Sequence, residues 1–146
     1  MVASVLDGLG GRMDGVRHVL TLRIYYEDTD FSGFVYHASY LRFMERARTE
    51  ILRAIDFDHG RLWDEKREGF VVRRMEIDWL RPALMDDVIA VSTTAEDVKA
   101  ATLVLRQVVT RGEEVLVSAL CKVAYLRDGR PARMPERMRE QMRRTE

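Results

Sequence analysis

The feature that most constrains the fold of this chain is an acidic loop, which joins a strand-like run to a long amphipathic helix. The run from Leu20 to Tyr26 alternates apolar and polar residues, which is typical of a half-buried strand. The DTDFSG loop follows, with a turn indicated at Ser32-Gly33. Between about residues 38 and 55, apolar residues then recur every three or four positions, which is the spacing of one helix face. The sequence therefore predicts an acidic group beside a helix start, where free N–H groups favour an anion or a polarised carbonyl oxygen.

Four more strand-like runs follow the helix, and the turns between them are short. They are Phe70–Leu80, Val88–Asp97, Thr102–Thr110 and Val115–Leu126. Pro135 suits the start of a short last helix. This order predicts an α+β fold with a mostly antiparallel five-stranded sheet and one long central helix. Because the helix covers one face only and the last run is apolar on both faces, we expect an oligomer, with Val115–Leu126 as a central strand.

The composition restricts the class of protein. A length of 146 residues suits one domain, which we place at residues 17–146 behind a glycine-rich flexible lead-in at 1–16. Lys+Arg and Asp+Glu are 24 each, which argues against a nucleic-acid partner. No run approaches the ~20 apolar residues of a membrane span. Without signal-peptide features, the expected location is cytoplasmic. Cys121 is the one cysteine and is expected to be a buried structural thiol.

The DTDFSG loop admits several interpretations. A calcium loop requires Glu at its twelfth position, which is Ser39 here, and no helix precedes Asp28. An Asp-x-Asp magnesium or phosphotransfer site lacks its other parts. A catalytic carboxylate, Asp30, beside the helix start is the third interpretation, and an aspartate that merely caps a turn is the fourth. The residues alone leave the last two open.

His37 lies at the helix entrance, where its backbone N–H points out of the first turn, although a plain surface histidine would lie there equally well. Tyr26, Tyr36 and Tyr40 flank the loop, or simply pack against the sheet. No histidines have metal-ligand spacing, and we find no nucleophile elbow, phosphate loop or Cys–His pairing. The sequence therefore predicts neither a metal nor a cofactor.

One long motif carries a resemblance to a known family. It reads YYEDTDFSGFVYHASYL at 25–41, continues as FMERARTE at 43–50, and is joined by IDWLRPA at 77–83. It resembles the hot-dog-fold acyl-CoA thioesterases, most closely the YbgC-like branch of the 4-hydroxybenzoyl-CoA thioesterase family, over about residues 17–130. The resemblance implies a sheet wrapped around one helix, dimers that pair sheets edge to edge, and an active site at the dimer interface. The expected assembly is a homodimer or a homotetramer.

The resemblance also implies the activity, which is hydrolysis of acyl-CoA thioesters to free acid and CoA. The family's catalytic aspartate falls on Asp30, as nucleophile or general base, and its oxyanion-binding amide falls on His37. The His37 side chain also fits the branch's active-site histidine. Two departures, Phe31-Ser32 in place of a small pair and Phe34 in place of a smaller aliphatic, bear on the acyl pocket and not on the reaction.

Substrate contacts are predicted around these two positions, with basic residues for the CoA phosphates. They are Tyr26, Phe34, Val35, Tyr36, Tyr40, Arg73, Arg74 and Lys99. An acyl carrier protein is a possible partner in place of CoA. Two alternatives stay open: a non-enzymatic module that binds acyl-CoA or acyl carrier protein, and a hot-dog hydratase or dehydratase, which pairs an acid with a histidine.

Overall fold

The computed structural model describes residues 8–146, which form one antiparallel sheet with three helices. The strands of this part of the chain are β1 Arg12–Asp14, β2 Arg17–Arg23, β3 Glu68–Trp79, β4 Val88–Val98, β5 Thr102–Arg111, β6 Glu114–Arg127 and β7 Arg130–Pro131. The helices are α1 Ser39–Ala54, α2 His59–Lys66 and α3 Glu136–Arg143, and a short 3₁₀ turn covers Tyr26–Asp28.

The sheet has the strand order β1-β2-β4-β5-β6-β3, with β7 paired to β6, and every pairing is antiparallel. The predicted α+β class is confirmed, and β6, predicted to be a central strand, is an internal strand between β5 and the edge strand β3. The prediction of five strands is too low, because β1 and β7 add two. Strands of three and two residues are too short to show an alternating pattern, so the sequence does not reveal them.

Helix α1 lies on the sheet with its apolar stripe inward. Its buried side chains include Tyr40, Phe43, Met44, Ala47 and Ile51. Burial of side chains of this size stabilises the fold by about 1.5–3 kcal/mol each, except for the smaller alanine. The first half of α1 packs in one apolar cluster with strand residues, and its last turns pack in a second cluster that also holds methionines of α3.

A buried polar contact fixes the middle of α1 on the sheet. The Gln107 side-chain amide, from β5, donates to the Met44 carbonyl at 2.9 Å and to the Thr93 hydroxyl at 3.1 Å. Arg48 donates to Gln107 Oε1 at 2.9 Å. Since a buried amide without partners is costly, these bonds favour one position of α1 along the strands.

Strand β3 is an edge of the sheet. It pairs with β6 and with no other strand of residues 8–146. Its register shifts at a bulge between Val72 and Arg74, and Val71 and Val72 are about half exposed. In β6, Cys121 is fully buried, as predicted, and burial raises the pKa of its thiol.

The N-terminal segment differs from the predicted lead-in where it is described. Residues 1–7 lie outside the described residues, but Arg12–Asp14 form β1, which pairs with β2. The single-domain boundary at residue 17 remains a prediction. No helix within residues 8–146 is long and apolar enough to cross a membrane.

A buried carboxylate makes the stability of this fold pH-dependent. Glu68 at the start of β3 accepts hydrogen bonds from the Tyr125 hydroxyl and from Arg127 Nε at 2.8 Å. Burial alone raises the pKa of Glu68, but these donors outweigh it and hold the pKa below its usual value. The stabilisation is therefore complete above the unfolded-state pKa of about 4.3 and is lost as the pH falls through the lower folded-state pKa.

We expect Glu68→Gln to lower the free energy of unfolding at pH 7 by about 1–3 kcal/mol, because the charge that Tyr125 and Arg127 stabilise is removed. The measurement is urea denaturation between pH 3 and 7, in which the variant should lose less stability on acidification than the parent. Glu76→Gln, an exposed change on the same strand, is the control. If Glu68→Gln and Glu76→Gln lowered the free energy of unfolding at pH 7 by equal amounts, this role of Glu68 would be contradicted.

Candidate active site

The loop between β2 and α1 is closed by backbone hydrogen bonds around Asp30. The Asp30 N–H donates to the Phe34 carbonyl at 3.0 Å, and the Gly33 N–H donates to the Asp30 carbonyl at 3.0 Å. Gly33 has a φ of 86°, in the left-handed region that glycine adopts without strain. The loop is therefore a tight turn that fixes the position of Asp30.

Within this turn the Asp30 carboxylate is held by one of its oxygens. Oδ1 accepts the Ser32 N–H at 2.8 Å and also the Ser32 hydroxyl, while Oδ2 has no hydrogen-bond partner within residues 8–146. The Ser32 hydroxyl and then the Ser32 N–H lower the pKa of Asp30, with a smaller contribution from His37. Asp30 therefore caps a turn, as one interpretation held, and keeps one oxygen free.

Asp28 has a separate task. Its Oδ2 accepts the Tyr25 N–H at 2.9 Å, and its carbonyl accepts the Tyr36 N–H at 2.9 Å. Ser39 Oγ reaches the same carbonyl at 3.3 Å. Asp28 thus ties the loop to the entrance of α1.

The start of α1 has no side-chain cap. Its N-cap residue is Ala38, which offers no hydrogen-bonding side chain. The Ser39 N–H donates to the Tyr36 carbonyl at 2.8 Å, whereas the N–H groups of His37 and Ala38 have no partner in the described part of the chain. Free N–H groups at the positive end of a helix favour an oxygen that carries negative charge.

Trp79, at the end of β3, supports this helix start. Its Nε1–H donates to the His37 carbonyl at 3.1 Å, and its ring lies edge-on to the imidazole with centroids 5.9 Å apart. The Tyr36 ring also lies near the imidazole, with the two ring centroids 4.6 Å apart. The edge strand therefore fixes the backbone on which the free amides lie.

One cleft of about 270 Å³ joins these groups. Its lining residues come from the loop, the start of α1 and the segment after β3. They are Asp30, Ser32, Phe34, Val35, His37, Tyr40, Trp79, Leu80, Arg81 and Pro82. The Asp30 carboxylate and the helix start with its free amides thus border the same cleft. Asp30 and His37 are both exposed, so the cleft is open to solvent.

Three of the predicted substrate contacts lie in this cleft. Phe34 is about half exposed, whereas Val35 and Tyr40 are buried in its wall. The Tyr40 hydroxyl accepts the Ala83 N–H at 3.0 Å, and burial raises its pKa, so it stays neutral. Tyr26 and Tyr36 are exposed and do not line the cleft.

The three predicted phosphate contacts lie elsewhere on the chain. Arg73 is at the β3 bulge, Arg74 pairs with Glu76 at 2.6 Å, and Lys99 lies 3.6 Å from Asp97 after β4. None of the three lines the cleft. Their role in binding therefore stays a prediction.

Five lining residues were not singled out as substrate contacts in the sequence. They are Ser32, Trp79, Leu80, Arg81 and Pro82. Trp79 to Pro82 lie in the IDWLRPA stretch of the family motif, which is the one signal that pointed to them. Arg81 supplies a positive charge at the cleft, and its Nη1 donates to Glu114 Oε2 at 2.6 Å.

A second cleft of about 220 Å³ lies beside the later turns of α1 and the start of β3. Leu103, Leu105 and Val123 form part of its apolar wall, and Arg48 and His59 are among its polar residues. It shares no residue with the Asp30 cleft.

The fold is that of a hot-dog thioesterase, and comparison with known proteins shows the same family. A family model described as the Thioesterase-like superfamily matches residues 25–142, so the chain belongs to that superfamily. The matched range contains Asp30, His37 and all the other residues that line the cleft.

Among individual relatives, the chain is similar to acyl-CoA thioesterase YbgC of Haemophilus influenzae. The two are 42% identical over 120 residues, which is 81% of this chain and 88% of the relative. Acyl-CoA thioester hydrolase YbgC of Escherichia coli O6:H1 is 43% identical over 97 residues, covering 66% of this chain and 72% of that one.

Solved structures agree with the fold. A probable thioesterase from Bartonella henselae is 39% identical with a TM-score of 0.78, over 82% of this chain and 99% of that one. A thioesterase from Thermus thermophilus, solved with coenzyme A and Zn, is 31% identical with a TM-score of 0.77, over 91% and 96% of the two chains. The predicted hot-dog thioesterase family is confirmed.

Proposed function

We propose that this protein hydrolyses acyl-CoA thioesters, with Asp30 as nucleophile or general base and the start of α1 as the group that polarises the carbonyl. The observation that carries the proposal is that Asp30 and His37 line one cleft. Similarity to proteins named acyl-CoA thioesterase, and to a thioesterase solved with coenzyme A, supports the reaction class.

In the proposed complex the thioester oxygen lies near the N–H groups of His37 and Ala38, which have no partner within residues 8–146. As the carbonyl carbon becomes tetrahedral, negative charge develops on this oxygen. A fixed donor at such a place is worth about 2.7–4 kcal/mol of barrier. Trp79 supports the arrangement, since it holds the His37 carbonyl on the opposite side of the residue.

Asp30 then acts in one of two ways. Its carboxylate attacks the carbonyl carbon, the C–S bond breaks, CoA leaves as the thiolate, and water hydrolyses the resulting anhydride. Alternatively, Asp30 takes a proton from a water molecule that attacks the same carbon, and the C–S bond then breaks with CoA leaving as the thiolate. The hydrogen bonds from Ser32 lower the pKa of Asp30, so the carboxylate is charged at neutral pH in either route.

The rest of the substrate occupies the borders of the cleft. Arg81 is suited to one of the CoA phosphates, and Phe34 and Leu80 are suited to apolar parts of the substrate. A carrier-protein thioester offers the same reacting group, so an acyl carrier protein is a second possible donor. A cytoplasmic location, where CoA thioesters are made, belongs to the same proposal.

We expect Asp30→Asn to lower kcat/KM for acyl-CoA by about 10²–10⁴-fold, since the amide can neither attack nor accept a proton. The measurement is release of free thiol from a panel of short, long and aromatic acyl-CoAs. Asp28→Asn is the matched control, because it removes the same charge from a carboxylate that bonds to the Tyr25 N–H. Its activity should stay within several-fold of the parent.

Three outcomes would count against this function. Near-normal thiol release by Asp30→Asn would remove Asp30 from the chemistry. Saturable binding of acyl-CoA without thiol release by the parent protein would indicate a binding module. Loss of an enoyl chromophore without thiol release would indicate a hydratase.

We also propose a homodimer, or a tetramer built from such dimers, that pairs through β3. This strand has twelve residues and a free edge among the described strands, which is a template for another strand. Half-exposed Val71, Val72 and Trp79 lie along it. A second copy would cover apolar surface that a single chain leaves in water.

Such a dimer would complete the site. Trp79 at the end of β3 borders the Asp30 cleft, and Val71 and Val72 near the start of β3 border the second cleft. Antiparallel pairing of two β3 edges brings the end of one strand beside the start of the other. The second cleft of one copy would then adjoin the Asp30 cleft of its partner and accept the acyl group.

We expect Val72→Asp to shift the protein toward monomer and to lower thiol release, because it places a charge on the proposed interface. Light scattering coupled to size exclusion measures the mass over a concentration series. Val16→Asp, at an equally exposed valine in the turn between β1 and β2, should leave both properties unchanged. A Val72→Asp protein that keeps the parent mass and activity would rule out pairing through this part of β3.

A further inference from the structure

Ser32 forms a short chain of hydrogen bonds that ends on the Asp30 carboxylate. The Phe34 N–H donates to Ser32 Oγ at 3.2 Å, and Ser32 Oγ donates to Asp30 Oδ1. The Ser32 N–H donates to the same Oδ1 at 2.8 Å. One carboxylate oxygen therefore receives two donors from a single residue.

The direction of the Ser32 hydroxyl bond follows from its neighbours. A backbone N–H can only donate, so Ser32 Oγ is the acceptor toward Phe34. An ionised carboxylate can only accept, so the serine proton is directed to Asp30. Because Phe34 also accepts the Asp30 N–H through its carbonyl, the three residues form one closed unit.

We propose that Ser32 is a positioning residue for Asp30: its hydroxyl and amide hold Oδ1 in the turn so that Oδ2 is the oxygen left for the reaction. This inference rests on the proposed function, since it assigns the reacting oxygen of the proposed catalytic group. Neither the hydroxyl nor the amide of Ser32 has to contact the thioester. Its effect is exerted through the orientation and charge of the carboxylate.

The other charged and titratable groups around Asp30 make no hydrogen bond to Ser32, whose bonds within residues 8–146 go to Asp30 and Phe34. His37 faces the same cleft from just before α1, Tyr40 faces it from the first turn of α1, and Arg81 faces it from the segment after β3. Asp28 is turned to the Tyr25 N–H. A change in the titration of Asp30 in a Ser32 variant therefore reports the lost hydroxyl.

The experiment compares the parent with Ser32→Ala and Ser32→Thr. Alanine removes the hydroxyl and keeps the N–H bond, whereas threonine keeps both. Ser32 is exposed and has no left-handed backbone, so both side chains fit. Two quantities are measured on the full chain: the carboxyl carbon of Asp30 by NMR titration, assigned with Asp30→Asn, and the pH profile of kcat/KM by thiol release.

For Ser32→Ala we expect the Asp30 titration and the acid limb of the profile to move together to higher pH, because the carboxylate loses its strongest donor. On the plateau, kcat should fall by about 3–30-fold, since a carboxylate free to rotate is less often aligned. KM should change little. Ser32→Thr should keep the parent's Asp30 titration, acid limb and plateau kcat.

Two results would overturn the inference. An Asp30 titration that is unchanged in Ser32→Ala would show that the hydroxyl does not act on the carboxylate. A titration that moves while the pH profile and kcat stay constant would make the bond structural only. The proposed function fails separately, if Asp30→Asn itself retains thiol release.

Discussion

The burial of α1 against the sheet is the constraint from which the rest of this structure follows. Phe43, Met44, Ala47 and Ile51 are almost fully buried, and the Gln107 amide bonds to the helix backbone at Met44. A helix fixed along its length has a fixed first turn, so its free N–H groups stay in one place. Tyr40 extends this order, because its hydroxyl accepts the Ala83 N–H and joins the helix start to the segment after β3.

The site is a consequence of three elements that meet at this fixed end. The loop supplies a carboxylate held by Ser32, the helix supplies amides without a cap, and β3 supplies Trp79 against the His37 carbonyl. Each contribution is ordinary in isolation, since aspartates cap many turns and many helices begin without a side-chain cap. Their arrangement around one cleft is what supports the proposed role of Asp30 and His37, and the position of Trp79 at the end of β3 links the proposed β3 dimer to the same cleft.

The sequence predicted what depends on local periodicity and on the long motif. Helix α1 was expected at about 38–55 and spans Ser39–Ala54, and the four later runs match β3 to β6 within a few residues. β1 and β7 escaped prediction because they are too short to show a pattern. Ser32 was noticed as a turn residue and as a departure from the family, but not as a partner of Asp30, and Trp79 lies 42 residues from the histidine whose carbonyl it binds. A single sequence carries no signal for contacts of this kind between distant residues. It likewise carries no signal that Arg74 and Lys99 lie away from the cleft.

The central claim is that a thioester carbonyl lies between Asp30 and the start of α1, and a crystal structure of Asp30→Asn with an unhydrolysed acyl-CoA tests it most directly. We predict the carbonyl oxygen at about 3 Å from the N–H of His37 or Ala38, with the carbonyl carbon facing the side chain of residue 30. A thioester bound with its carbonyl away from both amides, or seated in a cleft that lacks residue 30, would contradict it.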